Sequence, residues 1–433
     1  MKKTNLSLFA KIQEQIKSDA LKEAFRINPK NFTRNRKMPF DKVVLFMLNL
    51  ARKSLQLELI SFLKLFGRGS TVSNSAYNQN RMKIKPELFK HISEELNKEF
   101  YSDNEERIKL WRGFRVLATD GSLITMPITD ELKKKYGVTR NQHSTELVMG
   151  RCSILYDLIN KMVINGELAA KSTGERILAI KHLEYCSSSD LIIYDRGYPS
   201  FEFIDHHNKK GINFIIRCKL SFSNDVESFV KSEKTSSIIK LKPGKNTDIK
   251  GKGFSRKDFI EVRLIKVVLD SGETEVLITS LIDESLYPTE IFKELYFKRW
   301  GIETYYDQLK NVIQVEKFTG YTDLLIQQDF YCALLMSNIQ SLLINELEEQ
   351  VIDLYKGRKY EYKINTNLSF GLMKDRMVDI LINEKPENLV EELKGLLLAN
   401  VVPIRPGRKN KREVGKFRNR QKPIFLKNHK NAL

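Results

Sequence analysis

Two apolar runs with an aspartate in or just after them constrain this chain most. RVLATDGSLITMP has Asp120 and a Gly at its centre, and SDLIIYDRGY brings Asp195 to the end of its run with a Gly two residues later. Runs this apolar predict strands buried on both faces of a sheet, each with an acid near its tip. An Asp before Gly is by itself only a turn residue. In an α/β sheet, however, sites form at the carboxyl ends of strands, so two acids placed there are candidate ligands for a hard cation.

The stretch YFKRWGIETYYDQLK supplies a third acid. Its periodicity predicts one helix, and at ~100° per residue Tyr296, Arg299, Glu303 and Lys310 fall within roughly a 60° sector, about four turns long. One carboxylate is then flanked by two cations and a phenol, a surface suited to a phosphodiester. Glu303 can hold a metal ion, Arg299 can fork onto phosphate oxygens, and Lys310 and Tyr296 can neutralise or hydrogen-bond neighbouring phosphates. The bland alternative is a solvated amphipathic face with an Arg299–Glu303 pair at i,i+4. With Asp120 and Asp195, Glu303 would complete three oxygen ligands for Mg²⁺ or Mn²⁺. Leu295, Ile302, Leu309 and Ile313 form a core stripe roughly 80° from the polar sector, and packing it on the sheet brings Glu303 toward the strand tips.

TDGS at Asp120, DRGY at Asp195 and the Tyr-x2-Arg-x3-Glu-x6-Lys pattern resemble the catalytic signature of the DDE transposases of bacterial insertion sequences, specifically the IS4 family. The similarity runs from roughly Phe40, through SNSAYNQNRMKIKPELF, to about Tyr331. The resemblance implies an α/β fold: a ribonuclease-H-like catalytic core with a β-rich insertion and an N-terminal helical region. It implies an enzyme that cuts DNA at terminal inverted repeats and joins the 3′-OH ends to target DNA. Asp120, Asp195 and Glu303 would be the metal-binding catalytic residues, holding two Mg²⁺ or Mn²⁺ ions, and Tyr296, Arg299 and Lys310 would contact the terminal DNA. The implied partner is double-stranded DNA, as transposon ends and as target, bound by a homodimer. Some relatives pass through a DNA hairpin and stack a flipped base on a Trp of the β insertion. Here the two tryptophans, Trp111 and Trp300, lie outside that stretch, which leaves Phe254 as a substitute. Two rivals stay open: a domesticated or inactive transposase that only binds DNA, and a metal-dependent nuclease without strand transfer.

Composition agrees. A chain of 433 residues, 41% of them hydrophobic, has room for two or three domains and a sizeable core. Lys and Arg number 73 against 54 acids, and the net charge of +19 favours a polyanionic partner. Cys152, Cys186, Cys218 and Cys332 lie far apart without a C-x2-C pair and read as reduced core thiols; His182 precedes Cys186 by four residues, with no second pair to complete a metal site. The His206-His207 pair reads as surface or helix-end residues. No apolar stretch marks a leader or a membrane span, so a cytoplasmic, nucleoid-associated bacterial protein with no membrane partner is expected.

Periodicity divides the chain. Residues 1–108 read as all-α. With the basic INPKNFTRNRKMPF and with Asn80, Arg81, Lys83 and Lys85, they form either a helix-turn-helix-like module reading DNA ends or a bundle packed on the core, and no recognition helix stands out. Residues 109–218 read as the first part of the catalytic core, with Asp120 on the first strand and Asp195 on the fourth. Residues 219–286 read as the β-rich insertion and 287–400 as the helical second part of the core. The tail, 401–433, is basic: from Arg405 onward 11 Lys or Arg stand against one acid, Glu413, a solvated segment suited to lie along a phosphate backbone.

Overall fold

The computed structural model describes residues 5–405 except 35, 50–53, 68–70, 103–107, 141–145 and 270. The basic tail beyond Arg405 therefore lies outside the described residues. The first part of the chain is helical: α1 (Asn5–Lys17), α2 (Asp19–Phe25), α3 (Phe40–Leu48), α4 (Leu55–Lys64), α5 (Asn74–Arg81) and α6 (Glu87–Ser102). Serine caps set two of the starts, with Ser18 accepting from the Leu21 amide and Ser73 from that of Ala76.

Strands then alternate with helices: β1 (Arg115–Met126), α7 (Asp130–Tyr136), β2 (Val138–Arg140), β3 (Glu146–Asp157), β4 (Val163–Ala170), α8 (Glu175–His182), β5 (Asp190–Tyr194), α9 (Phe201–Lys210), β6 (Asn213–Cys218), α10 (Asn224–Lys231), β7 (Ser236–Leu241), β8 (Ile260–Val268) and β9 (Thr274–Thr279). They build one sheet in the order β2-β3-β1-β5-β6-β9-β8-β7, with β4 also on β3. β1, β3 and β4 pair antiparallel, whereas β5 and β6 run parallel to β1. Parallel pairing needs a crossover, and α8 and α9 precede β5 and β6. The order β4-β3-β1-β5-β6 is the ribonuclease-H-like arrangement. Asp195 follows the fifth strand rather than the fourth, because the three-residue β2 is too short to show a strand period. After β6 the chain adds β9, β8 and β7 antiparallel along the same sheet.

The last part holds α11 (Ile291–Phe297), α12 (Trp300–Asp307), α13 (Asp323–Leu354), β10 (Tyr362–Ile364), α14 (Thr366–Ile382), α15 (Glu387–Ala399) and β11 (Val401–Pro403), with β10 and β11 paired as a separate ribbon. Alternate residues of the central strands serve the two sheet faces. Val116, Leu191, Ile193 and Ile215 pack with Phe292, Leu295 and Tyr296 of α11, while Leu117, Ile192, Tyr194 and Phe214 join a larger core that includes the N-terminal helices and α13. At the join of α6, α13 and β4, buried Asn338 donates to the Val163 carbonyl at 2.8 Å and to Asn97 Oδ1 at 3.2 Å, and accepts from the Val163 amide at 2.7 Å.

Two polar groups are buried: His207, read from sequence as a surface or helix-end residue and found in the last turn of α9, and Arg81. His207 is fully enclosed, with Nδ1 2.9 Å from the Phe203 carbonyl oxygen and Nε2 3.0 Å from Tyr194 Oη, and burial lowers its pKa to about 4. Arg81 is also fully buried. His182 lies in the core between Ser153 and Asn165. None of the four cysteines is in a disulfide, and three of them are buried. No described helix is long and apolar enough to cross a membrane.

Candidate active site

The parallel pairing of β1 with β5 sets Ala118 opposite Ile193. Asp195 follows the last residue of β5, and its charge reaches Asp120, two residues past that last pair on β1. Asp120 Oδ1 accepts from the Gly121 amide at 2.8 Å, and Asp195 Oδ1 accepts from the Gly197 amide at 2.7 Å. Burial pushes the Asp120 carboxyl up to about 6; the charge of Asp195 acts in the same direction, while the Gly121 amide and Arg299 oppose it. Two adjoining carboxylates, one of them desolvated, are a poor arrangement for a protein alone and a good one for a cation.

YFKRWGIETYYDQLK is not the single α-helix its periodicity predicts. Between α11 and α12 the chain tightens: Arg299 N bonds Tyr296 O at 3.0 Å, Gly301 N bonds Lys298 O at 2.9 Å and Ile302 N bonds Arg299 O at 3.1 Å. Past α12, Gln308–Val312 widen into a π-turn. The four side chains therefore do not share one exposed face. Tyr296 is buried beside Phe292 and Leu295. Lys310 bends back to β1, donating to Ser122 Oγ and to the Leu123 carbonyl, both at 2.8 Å. Arg299 and Glu303 stay paired, Nη2 to Oε1, at 2.9 Å. The stripe of Leu295, Ile302, Leu309 and Ile313 is buried as expected.

Tyr306 fixes α12 to the sheet. Its hydroxyl donates to the carbonyl of Asp120 at 2.7 Å and to that of Cys152 at 3.3 Å, which ties the helix to β1 and β3 and holds Arg299 within electrostatic reach of Asp120. On the same segment, Tyr296 Oη and Arg299 Nε are buried with no hydrogen-bond partner. Burial raises the Tyr296 hydroxyl to about 12, so it remains a donor. Tyr198 Oη and Tyr305 Oη are unpartnered in the same way, and such buried donors could serve an oxygen-rich group.

Sequence reasoning missed Glu175, at the start of α8. A Cβ on Gly121 would come 2.8 Å from its Cγ, so glycine is what lets it lie under β1. Arg151 pairs with it, and its charge reaches Asp120. GERIL reads as an ordinary helix start and carries no signal of this. Asp120 and Asp195 are thus brought together, whereas Glu303 is turned to Arg299. Among the described residues no three His, Cys, Asp or Glu side chains lie close enough to hold one ion.

Residues 111–339, the stretch that contains all of these groups, match the family described as Transposase DDE domain. The chain belongs to this family. It is a DNA transposase, a metal-dependent polynucleotidyl transferase. The transposase is similar to InsG, the transposase for insertion sequence element IS4 of Escherichia coli (strain K12), at 23% identity over 315 residues, 71% of this chain and 70% of that one. It is 21% identical over 300 residues to the transposase for insertion sequence element IS231B of Bacillus thuringiensis subsp. berliner, 59% of this chain and 62% of that one. Among solved structures, the piggyBac transposase in a synaptic complex with hairpin DNA aligns with a TM-score of 0.44 at 11% identity, covering 94% of this chain and 87% of that one.

Proposed function

We propose that Asp120, Asp195 and Glu303 are the metal-binding catalytic residues, holding two Mg²⁺ or Mn²⁺ ions, and that Tyr296, Arg299 and Lys310 hold the terminal DNA. The observation that carries this reading is the pair of adjoining acids, Asp120 and Asp195, facing a helix whose Tyr296 and Arg299 have unpartnered donors. Held by these carboxylates, divalent ions would activate a water for in-line attack and stabilise the departing 3′-oxygen. The protein's own groups do the rest. Asp120 must be ionised, which its position near pH 6 allows at neutral pH. Glu303, whose side chain is 35% exposed, is free to exchange Arg299 for the site, and that exchange releases a guanidinium that can fork onto a phosphate. Lys310, anchored on β1 at Ser122, adds a second cation beside the same strand.

On this reading the transposase cuts at terminal inverted repeats and joins the 3′-OH ends to target DNA as a homodimer in the bacterial nucleoid. The helices before residue 109 bind the DNA ends, segments 109–218 and 287–400 form the catalytic core around the 219–286 insertion, and the 401–433 tail follows phosphates. The test is an assay of purified protein with end-bearing DNA, a plasmid target and Mg²⁺. Joined products are expected. Cut ends that are never joined would make the protein a nuclease, and binding without cutting would make it a DNA-binding protein only.

Arg299→Ala should leave end affinity nearly intact and slow single-turnover cleavage, because the residue positions the terminal nucleotide rather than supplying bulk attraction. Arg299→Lys should restore only part of the rate, since an ammonium lacks the planar fork. If Arg299 merely pairs with Glu303, the loss is ~0.2–0.5 kcal/mol of stability with an unchanged rate. A melting curve beside the kinetics separates the two.

A further inference from the structure

A groove of about 620 Å³ opens between α12, α13 and the β10 ribbon, a volume within the ~300–1,000 Å³ of ligand sites. Gly301 and Thr304 of α12 and Gln308 of the π-turn after it form one wall, and the segment leading into β10 forms another. Lys356, Arg358 and Lys363 are exposed along that second wall. Tyr355 and Tyr362 stack between them, with ring centroids 4.6 Å apart and planes 25° apart, and the Arg358 guanidinium lies 5.5 Å from the Tyr355 ring. Lys161 also lines the groove, but Glu348 holds it at 2.9 Å.

This lining interleaves cations with aromatic faces, the combination that grooves for unpaired nucleic acid use. A duplex hides its base faces inside the stack, whereas an unpaired strand can set a base on an exposed ring. On α12, at ~100° per residue, the lining residues Gly301 and Thr304 face away from Arg299 and Glu303, and Trp300 falls between the two sides. Trp300 immediately precedes the lining residue Gly301, is 46% exposed, and has its ring 5.5 Å from the Arg299 guanidinium. Phe297, three residues earlier, is 68% exposed. Large aromatic surface left open beside a basic groove marks a binding face.

We infer that this groove takes a single DNA strand leading away from the reacting end, with bases on Trp300 and the tyrosine pair and phosphates on Lys356, Arg358 and Lys363. The inference rests on the assignment of Arg299 and Glu303 to the reacting end.

The test measures binding of full-length protein to a labelled twenty-nucleotide oligo-dT and to a duplex of equal length, in chelator so that nothing is cut. Replacing Lys356, Arg358 and Lys363 together by Ala should flatten the slope of log K against log salt for oligo-dT by ~2, three contacts at ~0.7 each, and change duplex affinity less than about twofold. Trp300→Ala should weaken oligo-dT binding at least ~5-fold, and Trp300→Phe should retain most of it. These side chains are exposed, so melting temperatures should match the wild type. An unchanged oligo-dT slope in the triple variant, or equal losses on duplex and single strand, overturns the groove assignment, as does full oligo-dT affinity in Trp300→Ala. Glu303→Gln separates the two readings: it should bind oligo-dT as the wild type does, and if it still cuts DNA the catalytic assignment fails while the groove stands.

Discussion

Asp120→Asn, Asp195→Asn and Glu303→Gln should each reduce DNA cleavage by on the order of 10³-fold or more while leaving DNA binding largely intact, because each amide removes a charged oxygen ligand without altering the surface that meets DNA. Cleavage at a wild-type rate by any of the three would remove that residue from the site. Asp120 adds a signature in pH. Its carboxyl is held near 6 by burial, aided by Asp195, so protons should compete with Mn²⁺ below about pH 6 and affinity should fall as pH drops further, and Asp120→Asn should remove the part of that dependence centred near pH 6. The sign for metal-free stability is the reverse of the usual carboxylate case. With the folded pKa above the unfolded value, the native state binds the extra proton, so stability is fullest at low pH and declines as pH rises through about 6. Metal-free Asp120→Asn should therefore melt above the wild type at neutral pH and lose that advantage in acid. A wild-type melting temperature that climbs between pH 4 and 6 relative to the variant would contradict the raised carboxyl.

The two aspartates were legible because their signal is local. A strand buried on both faces must be nearly all apolar, and β5 is buried at all five positions, so an acid at its end stands out. The parallel pairing that brings Asp195 within reach of Asp120 is not local, but an α/β order of elements implies it. Glu303 was legible through spacing, yet the face it was assigned to was not. The helix tightens at Lys298 and widens at Gln308, and its side chains answer to distant partners: Tyr306 reaches a carbonyl on β1 and Lys310 reaches Ser122, 186 and 188 residues away. A 100° wheel assumes one uninterrupted helix and cannot register such contacts. Glu175 was invisible for the same reason: what matters is that Gly121 leaves room above it. His207 misled in the opposite direction. Its pattern of neighbours, HHNKKG, is that of a helix end, and its burial depends on Tyr194 and Phe214 on neighbouring strands.

Arg81 carries the largest expected loss of stability. Read in sequence with Asn80, Lys83 and Lys85, it belongs either to a module that reads DNA ends or to a bundle packed on the core. In the structure its guanidinium has no solvent exposure: Nε donates to Gln328 Oε1 at 2.7 Å, Nη2 to the Leu325 carbonyl at 2.9 Å and to Asp329 Oδ1 at 2.7 Å, and Nη1 to Thr319 Oγ1. Gln328 in turn donates to the carbonyls of Arg81 and Ile84, which locks α5 to the start of α13. Arg81→Ala deletes every one of these donors, leaves the Asp329 carboxylate with Thr319 but no cation and leaves Gln328 Oε1 without its donor, so the expected cost is ~3–5 kcal/mol. Arg81→Lys should recover only part of it, because a single ammonium cannot serve acceptors spread around a planar fork. Urea unfolding at an unchanged m-value is the measurement. A midpoint close to the wild type together with a selective loss of DNA affinity would return Arg81 to the DNA-facing surface. A large shift in midpoint, with the surviving native protein still binding DNA, would show that Arg81 serves to join the N-terminal helices to the catalytic core, beside the shared apolar core and the Asn338 network.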